Sequence, residues 1–148
     1  MNLPDAPIPK EGFFVTHFLT VKDQMKSREF YAGILGGKVV APQNPCIIKL
    51  ANSWIIINAG GGPTPDKPGV FLEAPQNPNK VNSFLNLRVA DVQACYNEWK
   101  AEGAHFLTEP LDNHGWETRC YMRDPDGYII EVGQASQKMI DLFKEHTS

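Results

Sequence analysis

The chain has 148 residues, 42% hydrophobic and 21% charged, with 14 Lys and Arg against 17 Asp and Glu for a net charge of −3. That is ordinary globular composition at about one domain's length, and its weakly acidic balance argues against a nucleic-acid partner. No apolar run approaches the ~20 residues that span a bilayer. The opening MNLPDAPIPKEGFF carries prolines and acids where a signal peptide needs a basic start and an apolar stretch, so the expected compartment is the cytoplasm.

Residues 13–21, FFVTHFLTV, are β-branched and aromatic and predict a strand. Ser27 is the expected N-cap of a helix whose apolar face is Phe30, Tyr31, Ile34 and Leu35, stopped by Gly36 and Gly37. Strands are predicted at 38–41, 46–50 and 54–58. Residues 59–80 then carry five prolines and four glycines, which exclude a long helix or a central strand, although Phe71 and Leu72 suit a short edge strand. A connection this long is read as a functional lid or a linker. Gly60-Gly61-Gly62 lacks the Lys-Ser/Thr ending of a phosphate loop.

The order then repeats. A strand is predicted at 82–89, followed by a helix capped by Asp91, with Val92, Cys95, Tyr96 and Trp99 on its apolar face and Gly103 at its end. Strands at 104–108, 117–122 and 128–133 follow, the last two joined by the turn Asp124-Pro125-Asp126-Gly127. Val21-Lys22-Asp23 and Val89-Ala90-Asp91 sit 68 positions apart, each before its helix. The expected class is therefore α+β, with two βαβββ modules sharing one continuous sheet structure. Module one spans 12–58, the Pro/Gly connection 59–80, module two 81–134 and an amphipathic C-terminal helix 135–146, all in a single domain. The three cysteines, Cys46, Cys95 and Cys120, form no CxxC pair and are expected as packed free thiols.

Val21 to Gly37, reading VxDxxxSxxFYxxxLGG, and DPDGYIIEV from Asp124 to Val132 resemble the vicinal oxygen chelate superfamily. That superfamily includes glyoxalase I, extradiol dioxygenases, fosfomycin-resistance transferases and bleomycin-resistance binding proteins. The resemblance, over residues ~12–134, implies the glyoxalase-like fold: paired βαβββ modules in a cupped mixed sheet, with helices outside and a ligand cleft inside the cup. One such fold hosts many functions.

In the catalytic branches, the resemblance implies a divalent metal held from the first strand of each module and the last strand of the second. Glu131 holds the last position, four residues after the glycine of DPDG. The first-strand positions, seven residues before each helix-capping Asp, are Thr16 and Phe84, and neither is a credible ligand. His17 is one residue out, which on a regular strand turns it with Leu19 and Val21 toward the helices. Only a β-bulge would bring it inward. His105 and His114 match no ligand position, and His146 is expected in solvent.

Strand alternation places Thr16, Phe18 and Thr20 of module one in the cup, with Phe84, Asn86 and Arg88 of module two. On the 117–122 strand, alternation puts Glu117, Arg119 and Tyr121 on one face and Cys120 and Met122 on the other. The family pattern implies that Met122 lies under the helix, so that Arg119 and Tyr121 face the cup beside Glu131. An Arg near Glu131 balances its charge without a metal. Trp54 and Trp116, at strand starts near the rim, complete a pocket for a flat, partly aromatic organic molecule. The leading expectation is thus a small-molecule binder of the bleomycin-resistance kind, without metal or other cofactor, membrane or nucleic acid. A homodimer is implied by the resemblance. The alternatives are a metal-dependent lyase, isomerase or dioxygenase-like enzyme using Glu131 and His17, and metal-free catalysis with Glu131 as base.

Overall fold

In the computed structural model, which describes residues 3–147, the chain divides into two units, Met1–Asn77 and Pro78–Ser148. The first contains β1 (His17–Thr20), α1 (Gln24–Arg28), which continues as a π-helical segment over Glu29–Ile34, β2 (Lys38–Ala41), β3 (Cys46–Leu50) and β4 (Ser53–Asn58). Its sheet order is β1-β4-β3-β2, with β1 parallel to β4 and the other pairs antiparallel. The second unit repeats this plan with β5 (Leu85–Arg88), α2 (Val92–Ala101), β6 (His105–Phe106), β8 (Glu117–Arg123) and β9 (Ile129–Ala135), in the order β5-β9-β8-β6. It adds β7 (Leu111–Asn113), paired to β8, and α3 (Gln137–Thr147). The paired βαβββ architecture stands as expected.

Local chemistry sets the helix starts. Asp23 lies in an extended conformation and its carboxylate accepts from the Met25 and Lys26 amides, satisfying donors that the first turn leaves open. Ser27 is therefore not the N-cap: it lies inside α1, fully buried, with its hydroxyl unpartnered among the described residues. Asp91 does the same work for α2, accepting from Ala94, while the Gln134 side chain takes the Val92 amide. The first strand is shorter than predicted, since residues 13–16 precede β1 and Phe13, Phe14 and Val15 are exposed.

Strand pairing fixes which side chains share a face, because residues in register point the same way. In the first unit Leu19, Ile57 and Cys46 form one row and His17, Ile55 and Ile48 the next. These rows are the core, with Ile48, Ile57 and Cys46 wholly buried alongside Phe30 and Tyr31. The second unit repeats them as Leu87, Val132, Cys120 and as Leu85, Ile130, Met122, with all but the two leucines fully buried. Leu19 and Leu87 are 68 positions apart, the same offset as the two capping aspartates.

The connection contributes no long element. Gly61 and Leu72 exchange both backbone hydrogen bonds at 2.9 Å, so the expected edge strand at Phe71–Leu72 is reduced to a single bridge. The next residues, Pro78 and Asn79, are clamped by Arg123, whose guanidinium donates to the Pro78 and Gly127 carbonyls and to the Asn79 side chain at 2.7–2.9 Å.

Candidate functional site

The core rows leave the opposite side of each sheet to be read separately. In the second unit this side carries three rows: Asn86, Glu131 and Tyr121; then Arg88, Gly133, Arg119 and Leu111; then Ala135, Glu117 and Asn113. Gly133 stands between two arginines. Its missing side chain leaves room for the Arg88 guanidinium to lie against the β9 backbone, where a Cβ on residue 133 would come within 2.2 Å of Arg88 Nη1. Crossing that gap, Arg88 Nη1 donates to Glu117 Oε1 and Glu131 Oε2, each at 3.0 Å.

Glu131 is the buried member, its side chain only 6% exposed. Its other oxygen, Oε1, accepts from the Tyr121 hydroxyl at 2.7 Å. Arg119 Nη1 stands 4.0 Å from Glu131 and 3.7 Å from Glu117, with its guanidinium over the Tyr121 ring. Asn113 donates to the second oxygen of Glu117 at 3.2 Å. Burial, reinforced by the hydrogen bond to Glu131, pushes the Tyr121 phenol above its ordinary value, so Tyr121 is a proton-bearing donor at neutral pH. Phe84, 41% exposed, packs edge-on to Tyr121 at 6.1 Å.

Two carboxylates and two guanidiniums thus make a neutral network with a half-exposed rim. The expected cluster of Asn86, Arg88, Arg119, Tyr121 and Glu131 is brought together, with Phe84 at its edge. The partner in hydrogen-bond contact with Glu131 is Arg88, and Arg119 is the more distant of the two arginines. Glu117, Asn113 and Gly133 belong to the network too. Glu117 had a readable signal, since it is two residues before Arg119 on the same strand face. Trp116 lies just outside β8, its ring covered by the Lys138 ammonium at 3.9 Å and its carbonyl bonded to Ser136.

In the first unit, Phe18 and Thr20 share the side away from the core rows, Phe18 47% exposed and Thr20 buried, and Thr16 precedes β1. Thr20 meets the connection: a Cβ on residue 60 would come within 2.9 Å of its methyl. A cleft of about 530 Å³ opens there, lined by Thr20, Lys22, Leu72, Glu73 and Gln76 among others. Trp54 is not at an open rim. It is buried, with its indole Nε1 donating to the Asp5 carbonyl at 2.6 Å and its ring stacked on Phe14.

Within the second unit, the surroundings of Glu131 do not fit a divalent metal. Both oxygens of Glu131 already accept hydrogen bonds, and the nearest charges within its unit are cationic guanidiniums, which repel a metal ion. Among the described residues, no three His, Cys, Asp or Glu gather as a ligand set. β1 pairs with β4 in unbroken register, so His17 shares the side of Leu19, Ile55 and Ile57. The inward-turning bulge that a His17 ligand requires is not there; the irregularity of this sheet lies in β2, between Val39 and Ala41. Desolvation lowers the His17 pKa, as suits a neutral imidazole beside the core.

No curated protein sequence matches the chain. Solved structures share the fold at low identity. The antibiotic-binding protein TnmS3 from Streptomyces sp. CB03234 is 20% identical, with a TM-score of 0.63 over 87% of this chain and 100% of that one. TioX from Micromonospora sp. ML1 is 15% identical, with a TM-score of 0.66 over 84% and 99%. A glyoxalase/bleomycin resistance protein/dioxygenase from Nocardioides is 17% identical, with a TM-score of 0.69 over 88% of each chain. The family model matches residues 14–132, from ahead of β1 into β9, and the chain belongs to the Glyoxalase/Bleomycin resistance protein/Dioxygenase superfamily.

Proposed function

We propose that the protein binds a small, partly aromatic organic molecule without a catalytic metal or other cofactor and without turnover, as a homodimer. One observation carries this reading: the family's metal-ligand glutamate, Glu131, has both oxygens engaged by Arg88 and Tyr121. A carboxylate so occupied serves as a structural counter-ion, and its neighbours are left to meet a guest. Arg119 supplies the polar contact, since among the described residues its guanidinium makes long ion pairs and a contact with the Tyr121 ring, and it is 36% exposed. Phe84 and Tyr121 supply aromatic surface, which suits a flat ligand bearing hydrogen-bond acceptors. Sequestration of a toxic compound is the role this chemistry favours, and the antibiotic-binding description of TnmS3 is in keeping with it. The exposed Phe13, Val15 and Phe143 support the homodimer.

The test is metal content after purification without metal and after loading with Ni, Zn, Mn or Fe(II), alongside a thermal-shift screen of planar aromatic compounds. Sub-stoichiometric metal, ligand shifts insensitive to chelator and an affinity loss of about tenfold in Arg119→Ala are expected, the loss being that of one charge-assisted hydrogen bond. Stoichiometric metal that disappears in Glu131→Gln would overturn the reading.

A further inference from the structure

The face of the first unit's sheet opposite its core rows is partly covered by the chain's own N-terminal segment. Lys38 and Lys49 lie directly opposite each other on β2 and β3, on the side that also carries Trp54 and Ile47. Like charges in register repel, and what separates them here is the Asp5 carboxylate, with Oδ2 at 2.5 Å from Lys38 Nζ and Oδ1 at 3.6 Å from Lys49 Nζ. Neither lysine has another ion-pair partner among the described residues. The Asp5 carbonyl takes the Trp54 indole N–H at 2.6 Å, and Ala6 fills an apolar floor of Val40, Ala41, Ile47 and Trp54.

This is a ligand-sized set of contacts: one carboxylate, one carbonyl and one methyl. The residues that follow link the segment to β1: Ile8 through Val15 are all exposed and Gly12 takes a positive φ of 62°, with Phe14 stacked on the Trp54 ring at 4.9 Å and the Val15 carbonyl accepting from the Ser53 hydroxyl at 2.9 Å. Without the segment, the face presents two unpaired ammonium groups, an indole N–H with no acceptor and an apolar floor.

We propose that residues 4–6 are a tethered occupant of an anion site, and that this face of the first unit binds a small molecule carrying a carboxylate on an apolar body in the segment's place. The Lys38 hydrogen bond holds the Asp5 carboxyl below its ordinary value, so the tethered carboxylate stays charged and competitive at neutral pH. A tether keeps the segment at an effective concentration in the millimolar range, which masks a free ligand by the fraction of closed molecules. The proposal stands apart from the reading of the Glu131 face and is tested without it.

The decisive comparison is 2-naphthoate binding, by calorimetry, to the full chain, to the Asp5→Asn chain and to a chain lacking residues 1–8. Asp5→Asn is nearly isosteric and preserves folding, checked by circular dichroism, even if the truncation does not. At least a tenfold gain in naphthoate affinity is expected in both variants. Adding Lys38→Gln with Lys49→Gln removes that gain, and neutral 2-naphthamide shows none. A peptide of residues 2–10 is expected to bind the truncated chain at least tenfold more tightly than its Asp5→Asn counterpart. Folded Asp5→Asn that binds naphthoate no better than the full chain sinks the proposal. So does a gain that survives loss of both lysines.

Discussion

The two units run the same topology with opposite chemistry on the sheet faces turned away from their core rows. Register pairs them residue for residue: the row of Phe18, Ile56 and Ile47 in the first unit corresponds to Asn86, Glu131 and Tyr121 in the second. Ile56 therefore stands where Glu131 stands. An apolar row must be covered, and the N-terminal segment covers part of that face through Ala6 and Asp5. A charged row must be neutralised, and Arg88 does so across Gly133. The fold dictates where a residue points; what faces it decides whether that residue is tolerated.

The largest effect is expected from forcing the second unit's chemistry onto the first. Ile56→Glu places a carboxylate on a row with no guanidinium, and urea unfolding should show a loss of about 3 kcal/mol. A loss within 0.5 kcal/mol would mean that the two faces are interchangeable. Gly133→Ala should cost less, about 1–2 kcal/mol, because the new methyl displaces a half-exposed guanidinium rather than emptying a core. That variant should also weaken the Tyr121–Glu131 arrangement and change the alkaline absorbance titration of the tyrosines. An unaltered titration would show that Arg88 does not depend on the gap.

The smallest difference is expected where the units agree. Cys46 and Cys120 occupy equivalent rows, and burial pushes both thiols up, Cys120 from 9.0 to about 11. With a folded value above the unfolded one, the stabilising contribution is complete below pH 9 and is lost as pH rises through about 11. Thiolate absorbance of the folded protein should stay flat to pH 9 for both residues. An earlier rise would break the equivalence.

Much of this was legible because it is local or periodic. The anchors around Asp23 and Asp91 marked the repeat, and period-two alternation correctly set Cys120 and Met122 against Arg119 and Tyr121 and turned His17 to the core side. Ser27 misled because serine is a good cap by composition, whereas Asp23 has the extended backbone that lets its carboxylate reach the first turn. β7 was missed because three residues, Leu111–Asn113, are too short to show a period. Arg88, rather than Arg119, became the hydrogen-bonded partner of Glu131 because of a cross-strand gap at Gly133, which exists only once β5, β9 and β8 are in register. Asp5 lies 33 positions from Lys38 and 49 from Trp54, and no local pattern announces such a pairing.

The helix-side rows carry a consequence for evolution. Leu19, Ile57 and Cys46, like Leu87, Val132 and Cys120, line up in equivalent register on the core side of each unit. Mutations on the opposite face can accumulate while the architecture is inherited intact. A duplicated scaffold of this kind can lose a metal ligand in one lineage and gain a charged network or a covering strap in another, with the ancestry still readable in the silent side of the sheet.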